Sequence, residues 1–370
     1  MLLLLLTCIT AFSSSTQEAE SATPQLALPN LETDVQWEAN LIEAEKLIES
    51  GNADGAERLL LSMLDRATVQ SLQAMAALGQ LRLSTGDAEG ALPLLANAAG
   101  SFEALGQGKS RRTAHVISNL GVAFDRLERY EEAEAAARHA LDIFVEIHGE
   151  NHREVAISLN NLAGIVHAQG RRDDELSIRR RETSIWESVA PAEDTMRMQS
   201  QSAFAWNLTA VGLPLEAKPI YEELIPVQIA AWGKDNIAVA DTRVNYGWCL
   251  QQIGEYEQAR AEYEVSLAAF EKALGPNHPG LVETLRFQAT LLLGMDLPDE
   301  AAASFARAAA IVGSMPEEDD FGNNLEELIW LIGGQVTALK RAGRTGEAAA
   351  VEIRLTQLLA AEERRVAEEN

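Results

Sequence analysis

A period of 42 residues constrains this chain more than any other feature. Ser118-Asn119-Leu120-Gly121 recurs as Leu159-Asn160-Asn161-Leu162-Ala163, and the turn at Glu128 recurs at Gly170. A fixed period of this size, with a small-residue code inside it, signals stacked helical hairpins. Extended over the chain, the register places a first small position at Ala44, Gly79, Gly121, Ala163, Ala205, Gly247, Ala289 and Val336. Seven residues on stands a turn position: Gly51, Gly86, Glu128, Gly170, Gly212, Gly254, Asp296 and Gly343. Five further on is a second small position: Ala56, Ala91, Ala133, Glu175, Ala217, Ala259, Ala301 and Ala348. The spacings are 35, then 42 five times, then 47. Loop-length changes cost little, so the outer irregularities leave the register intact.

Each unit reads as helix, tight turn, helix. Glycine suits the turn because a helix end often needs the left-handed conformation. The two small columns mark where the helices of one hairpin cross, and a larger side chain there would overpack the contact by about 1–3 kcal/mol. Larger apolar residues fill the seam: Leu47, Phe124, Val166, Leu208, Leu250, Leu292 and Leu339 after the first column, and Leu60, Leu95, Tyr221, Tyr263 and Phe305 after the second. One hairpin cannot bury its apolar face alone, so neighbours stack. The expected fold is all-α, a solenoid of about eight hairpins in residues 35–370. The units fall near 37–70, 71–106, 113–149, 155–190, 197–232, 239–274, 281–316 and 325–366.

Ahead of the array, Met1–Phe12 is apolar and Ser13-Ser14-Ser15 follows, the pattern of a secretory signal peptide over residues 1–15. No Lys or Arg precedes the Leu run, and the stretch is too short to span a bilayer. The expectation is export to the periplasm or the medium, with lipid anchoring through Cys8 and a cytoplasmic location as alternatives. Residues 16–34, with two prolines and mixed small and acidic residues, read as a flexible linker. Removal of Cys8 would leave Cys249 alone, without a disulfide partner, and it reads as a buried thiol. The net charge of −26 disfavours nucleic acid and anionic lipid. It describes a solvated acidic surface, or an acidic face for a basic partner.

Unit four departs from the pattern. Glu175, Arg179 and Glu182 occupy columns that are Ala or aromatic in other units. Placed in the seam they would form a desolvated ion network, which seldom stabilises over apolar packing, so either this helix rotates to turn Leu176, Ile178 and Ile185 inward or the array is weak here. A hinge near residues 175–195 is the expectation. His152 and His278 occupy equivalent loop positions 126 residues apart, which favours a structural role. His148 and His152 are four apart, but Gly149 between them breaks the helix that would align them on a metal.

"SLNNLAGIVHAQGRRDDE" (Ser158–Glu175), "GEYEQARAEYEVSL" (Gly254–Leu267) and "ALGPNHPGLVETL" (Ala273–Leu285) carry a resemblance. The chain resembles tetratricopeptide repeat proteins, of the longer 42-residue variety seen in kinesin light chains, over roughly residues 37–366. The resemblance implies an elongated right-handed superhelix whose first helices line a concave groove. It also implies where ligand-facing residues lie. Asn119, Asn161 and Asn245 stand two before the first small residue, Trp206 and Trp248 one after, and Asp125, His167 and Gln251 four after. Asparagines in such places hold a ligand backbone in the family, and a carboxamide both donates and accepts. Two tryptophans one period apart would add an aromatic wall, or they would be partly buried between neighbouring helices.

No P-loop, dinucleotide glycine motif, HExxH, paired CxxC or serine elbow is present. The expectation is a non-enzymatic scaffold without cofactor or metal. Its partner is a protein or peptide segment in the groove, without nucleic acid or a transmembrane span, and self-association remains open. The alternatives are an assembly or chaperone-like subunit of a cell-envelope complex, and an intracellular peptide-sensing regulator.

Overall fold

A computed structural model describes residues 31–63, 69–315 and 324–369 of the chain. They carry sixteen α-helices and, among the described residues, no strand. The expected signal peptide, most of the linker and residues 316–323 lie outside them. The helices pair in sequence. Unit one is α1 (Leu31–Glu49) with α2 (Ala53–Ser62), unit two is α3 (Val69–Ser84) with α4 (Ala88–Ala104), and unit three is α5 (Arg111–Arg126) with α6 (Tyr130–His148). Unit four is α7 (Arg153–Ala168) with α8 (Arg172–Val189), unit five is α9 (Thr195–Ala210) with α10 (Pro214–Trp232), and unit six is α11 (Ile237–Gln252) with α12 (Tyr256–Leu274). In unit seven a 3₁₀ turn at Pro279–Leu281 leads into α13 (Val282–Gly294), which pairs with α14 (Pro298–Val312). Unit eight is α15 (Asn324–Arg341) with α16 (Thr345–Glu369). Helix α1 begins four residues before the boundary at 35, so residues 31–34, read as linker, are helical.

The described residues form two compact bodies, divided between Val189 and Ala190. The first holds α1–α8 and the second α9–α16.

Both small columns are buried in all eight units, from Ala44 to Val336 and from Ala56 to Ala348. The reason is close approach. A Cβ added at Gly79 would stand 2.7 Å from Leu95 Cγ, and one at Gly247 would stand 2.6 Å from Tyr263 Cε1. Each of these glycines admits the seam residue of its partner helix. The turn column is uniform as well. All eight turn residues have positive φ, from 58° at Glu128 to 90° at Gly86. Glu128 and Asp296 are the non-glycine residues in that conformation among the described residues.

Longer loops share another device. Gly149, Gly233 and Gly275 end the second helices with positive φ, leaving the chain extended toward the next start. There a side chain accepts a backbone N–H two residues on: His152 Nδ1 from Glu154, Asn236 Oδ1 from Ala238, and His278 Nδ1 from Gly280. These bonds satisfy donors that a helix start leaves open. The equivalent histidines are therefore capping residues. His148 and His152 stack ring on ring at 4.0 Å.

Helix α8 does not rotate. Glu175, Arg179 and Glu182 stay buried in the seam, while Leu176 and Ile178 are only partly buried and Ile185 is buried. Arg179 Nη1 donates to Glu182 Oε2 at 2.9 Å and to Asn160 Oδ1 at 2.6 Å. Its Nε stands 3.7 Å from Glu175 Oε1, and Glu175 Oε2 pairs with His167 Nδ1 at 2.8 Å. These contacts pair the charges within the hairpin without rotation, while Arg179 Nε stays buried with no hydrogen-bond partner among the described residues. Cys249 is buried, its thiol donates to the Pro214 carbonyl at 3.2 Å, and burial pushes its pKa up. Among the described residues no helix is long and apolar enough to cross a membrane.

Candidate functional site

Within each body, successive first helices approach one another more closely than successive second helices do. First helices therefore line the concave side. At 100° per residue, the positions six before, two before and one after the first small residue fall within an arc of about 60°. That arc points away from the hairpin's own second helix. On α11 it carries Asp241, Asn245 and Trp248, and on α13 it carries Glu283, Phe287 and Thr290.

In the second body this stripe is aromatic. Trp206 and Trp248, both partly buried, lie 6.2 Å apart with planes tilted by 42°. Trp248 stacks on Phe287 at 6.2 Å, and Phe287 in turn stacks on Tyr263 at 6.2 Å. Arg286 continues the row, its guanidinium carbon 5.4 Å from the Phe287 ring centre and 5.6 Å from that of Trp330. Trp330 remains 45% exposed, so the wall ends on an open indole. The arrangement supplies partly buried rings on the same helix faces as the carboxylates Asp241 and Glu283. Asp241 is reached by solvent, yet the concave wall displaces enough water to push its carboxyl up to about 6, with Glu283 adding repulsion.

Gln251 and Asn245 belong to the same helix. Gln251 Oε1 accepts from the Tyr263 hydroxyl at 3.2 Å, which engages it with the second helix of its own hairpin. Asn245 is partly buried on the concave arc, between Asp241 and Trp248.

In the first body, Asn119, Asn161, Asp125 and His167 are all partly buried. Asn161 Nδ2 donates to Ser118 Oγ at 3.1 Å, linking two neighbouring first helices. His167 turns to Glu175 in the second helix of its hairpin, as Gln251 turns to Tyr263. Burial holds the carboxyl of Asp125 above its usual range, against the lowering effect of Arg126. Asn119 lines an apolar cleft between α1, α3 and α5, where Ala76 and Ala77 leave room beside Leu41 and Ile48. Gln80 Nε2 and His115 Nε2, also in its lining, are buried with no hydrogen-bond partner among the described residues. Desolvation lowers the pKa of His115, so the cleft presents a neutral imidazole near neutral pH.

Sequence reasoning found Trp206 and Trp248 but missed Phe287, Trp330, Asp241 and Glu283. Phe287 stands in the same column as the three asparagines, two before Ala289, and was hidden by reading that column for asparagine. Among the described residues, no group of three or more His, Cys, Asp or Glu could hold a metal ion.

Hairpins of constant register, with one face of every first helix turned to a concavity, define a helical repeat scaffold. The tetratricopeptide repeat family model matches residues 67–144, 113–188 and 249–313, just over half of the chain, and the chain belongs to that family. No curated protein matches it by sequence. Solved structures match the fold. The apo form of RapI aligns with 90% of this chain and 99% of its own, at 15% identity and a TM-score of 0.61. A Rap protein complexed with Competence and Sporulation Factor covers 90% and 99%, at 16% identity and a TM-score of 0.51. The kinesin light chain TPR-like repeats from Podosopora anserina cover 56% of this chain and 99% of their own, at 17% identity and a TM-score of 0.51.

Proposed function

We propose that the chain is a non-enzymatic interaction scaffold that holds an extended peptide or protein segment on the concave face of its first helices. The observation that carries this reading is the row Trp206–Trp248–Phe287, three neighbouring rings from three successive hairpins that are each only partly buried. Burying such rings completely inside the hairpin seams would contribute more to folding than leaving them half open. Aromatic residues placed in this way are typical anchors of binding hot spots. The Rap protein of similar fold that is complexed with Competence and Sporulation Factor supports the reading.

The test is affinity capture of partners from the native organism with wild type and with Trp206→Ala/Trp248→Ala. The double variant is expected to lose more than about 2 kcal/mol of affinity while retaining its helical circular dichroism and cooperative melting. Undiminished capture, or global unfolding of the variant, overturns the site. The export reading of Met1–Ser15 rests on sequence alone, and fractionation with N-terminal sequencing of the native protein tests it.

A further inference from the structure

We propose that the concave stripe of α11 and α13 takes a cationic extended segment. A Lys or Arg side chain seats at Asp241, and an apolar or aromatic residue about three positions along lies against Trp206 and Trp248. This inference rests on the scaffold reading and adds the chemistry of the partner.

Two neighbouring repeats differ at this stripe. Glu283 stands one period, 42 residues, after Asp241. Beside Glu283 the chain supplies its own cation. Arg286 Nη2 is 3.9 Å from Glu283 Oε1, and its guanidinium covers the rings of Phe287 and Trp330. A cation between a carboxylate and ring faces satisfies both, through Coulomb attraction and the ring quadrupole.

One period earlier the cation is missing. Asp241 replaces Glu283 and Asn245 replaces Phe287, and the rings on that face of α11 are those of the Trp206–Trp248 pair, about two turns further along. The position of Arg286 is taken by Val244, a buried side chain. Asp241 forms no ion pair with any described residue, and its electrostatic neighbour is another carboxylate, Glu283. Its raised pKa agrees with a carboxylate that lacks a cation. A positive group arriving from a partner would relieve that repulsion, whereas an acidic segment would add to it. The chain's net charge of −26 draws cations toward the surface from a distance.

The spacing follows from helix geometry. Asp241 and Trp248 are seven residues apart on one face of α11, about 10 Å along its axis. An extended segment covers that distance in about three residues.

The test titrates the full chain with short labelled peptides of Gly and Ser. One carries Arg and Phe about three residues apart, and two others carry Gln or Glu in place of Arg. The Arg peptide is expected to bind about tenfold more tightly than the Glu peptide. Asp241→Asn should bring the Arg peptide to the level of the Gln peptide and leave the Gln peptide unchanged. Trp206→Ala/Trp248→Ala should weaken both, with circular dichroism melting confirming the fold of each variant. Equal affinity for Arg and Glu peptides, or indifference of the Arg peptide to Asp241→Asn, overturns the cationic partner. If binding still depends on the tryptophans, the scaffold reading stands. Absence of binding by every peptide, or binding indifferent to the tryptophans, overturns both.

Discussion

Glu128 and Asp296 sit where six of the eight repeats use glycine, at φ of 58° and 61°. A Cβ in the left-handed region costs roughly 1–2 kcal/mol, and glycine's greater unfolded-state freedom takes back about 0.5–1 kcal/mol. Glu128→Gly is therefore expected to raise stability by roughly 0.5 kcal/mol, read by urea denaturation, and a loss of stability would show that the turn does not need that conformation. Asp241 is a second residue held against its preference. Its folded carboxyl is pushed up to about 6 from an ordinary 3.8 by loss of surrounding water and by Glu283, so ionisation costs stability above that pH and the cost disappears as pH falls. Asp241→Asn should melt higher than wild type at pH 8, with the difference closing as pH falls through 6 toward 4. A difference independent of pH would count against the shift.

At the scale of an element, α8 is the informative helix. Its buried Glu175, Arg179 and Glu182 replace the Ala217, Tyr221 and Leu224 that α10 carries one period later. Two buried carboxylates share one guanidinium, so removing Arg179 takes away their common cation. Arg179→Ala should cost about 3–5 kcal/mol. Replacing the whole set by its counterparts, Glu175→Ala/Arg179→Tyr/Glu182→Leu, should leave stability unchanged or raise it by about 1–4 kcal/mol, because well-packed apolar side chains carry no desolvation cost. A triple variant less stable than Arg179→Ala would show that the charges hold the hairpin in register. The columns of the repeat were legible because they obey a packing rule. The state of α8 was not, because only the positions of His167 and Asn160 decide whether its charges are satisfied in place.

At the scale of the molecule, the described residues divide between Val189 and Ala190, inside the stretch 175–195 where sequence places a hinge. We expect native-state hydrogen exchange to be faster over Val189–Thr195 than in α7 and α11, since a repeat array is held together by contacts between neighbours. Uniform protection from unit three to unit six would overturn the hinge.

The period, the two small columns and the turn column were determined by sequence alone. A helix crossing favours a small side chain, with Glu175 the exception, and a left-handed turn favours glycine, with Glu128 and Asp296 the exceptions, so each constraint leaves a mark at a fixed position. The class of protein followed from those marks, and so did the placement of Trp206 and Trp248 in register. Only the tertiary structure decided which polar residues of the first helices stay on the concave face. His167 and Gln251 lie one turn beyond the small residue, close enough to their own second helices to bond Glu175 and Tyr263. It also brought Phe287 and Trp330 into the row begun by the tryptophans, because ring contacts between hairpins depend on how neighbours stack, and no residue-by-residue rule encodes that.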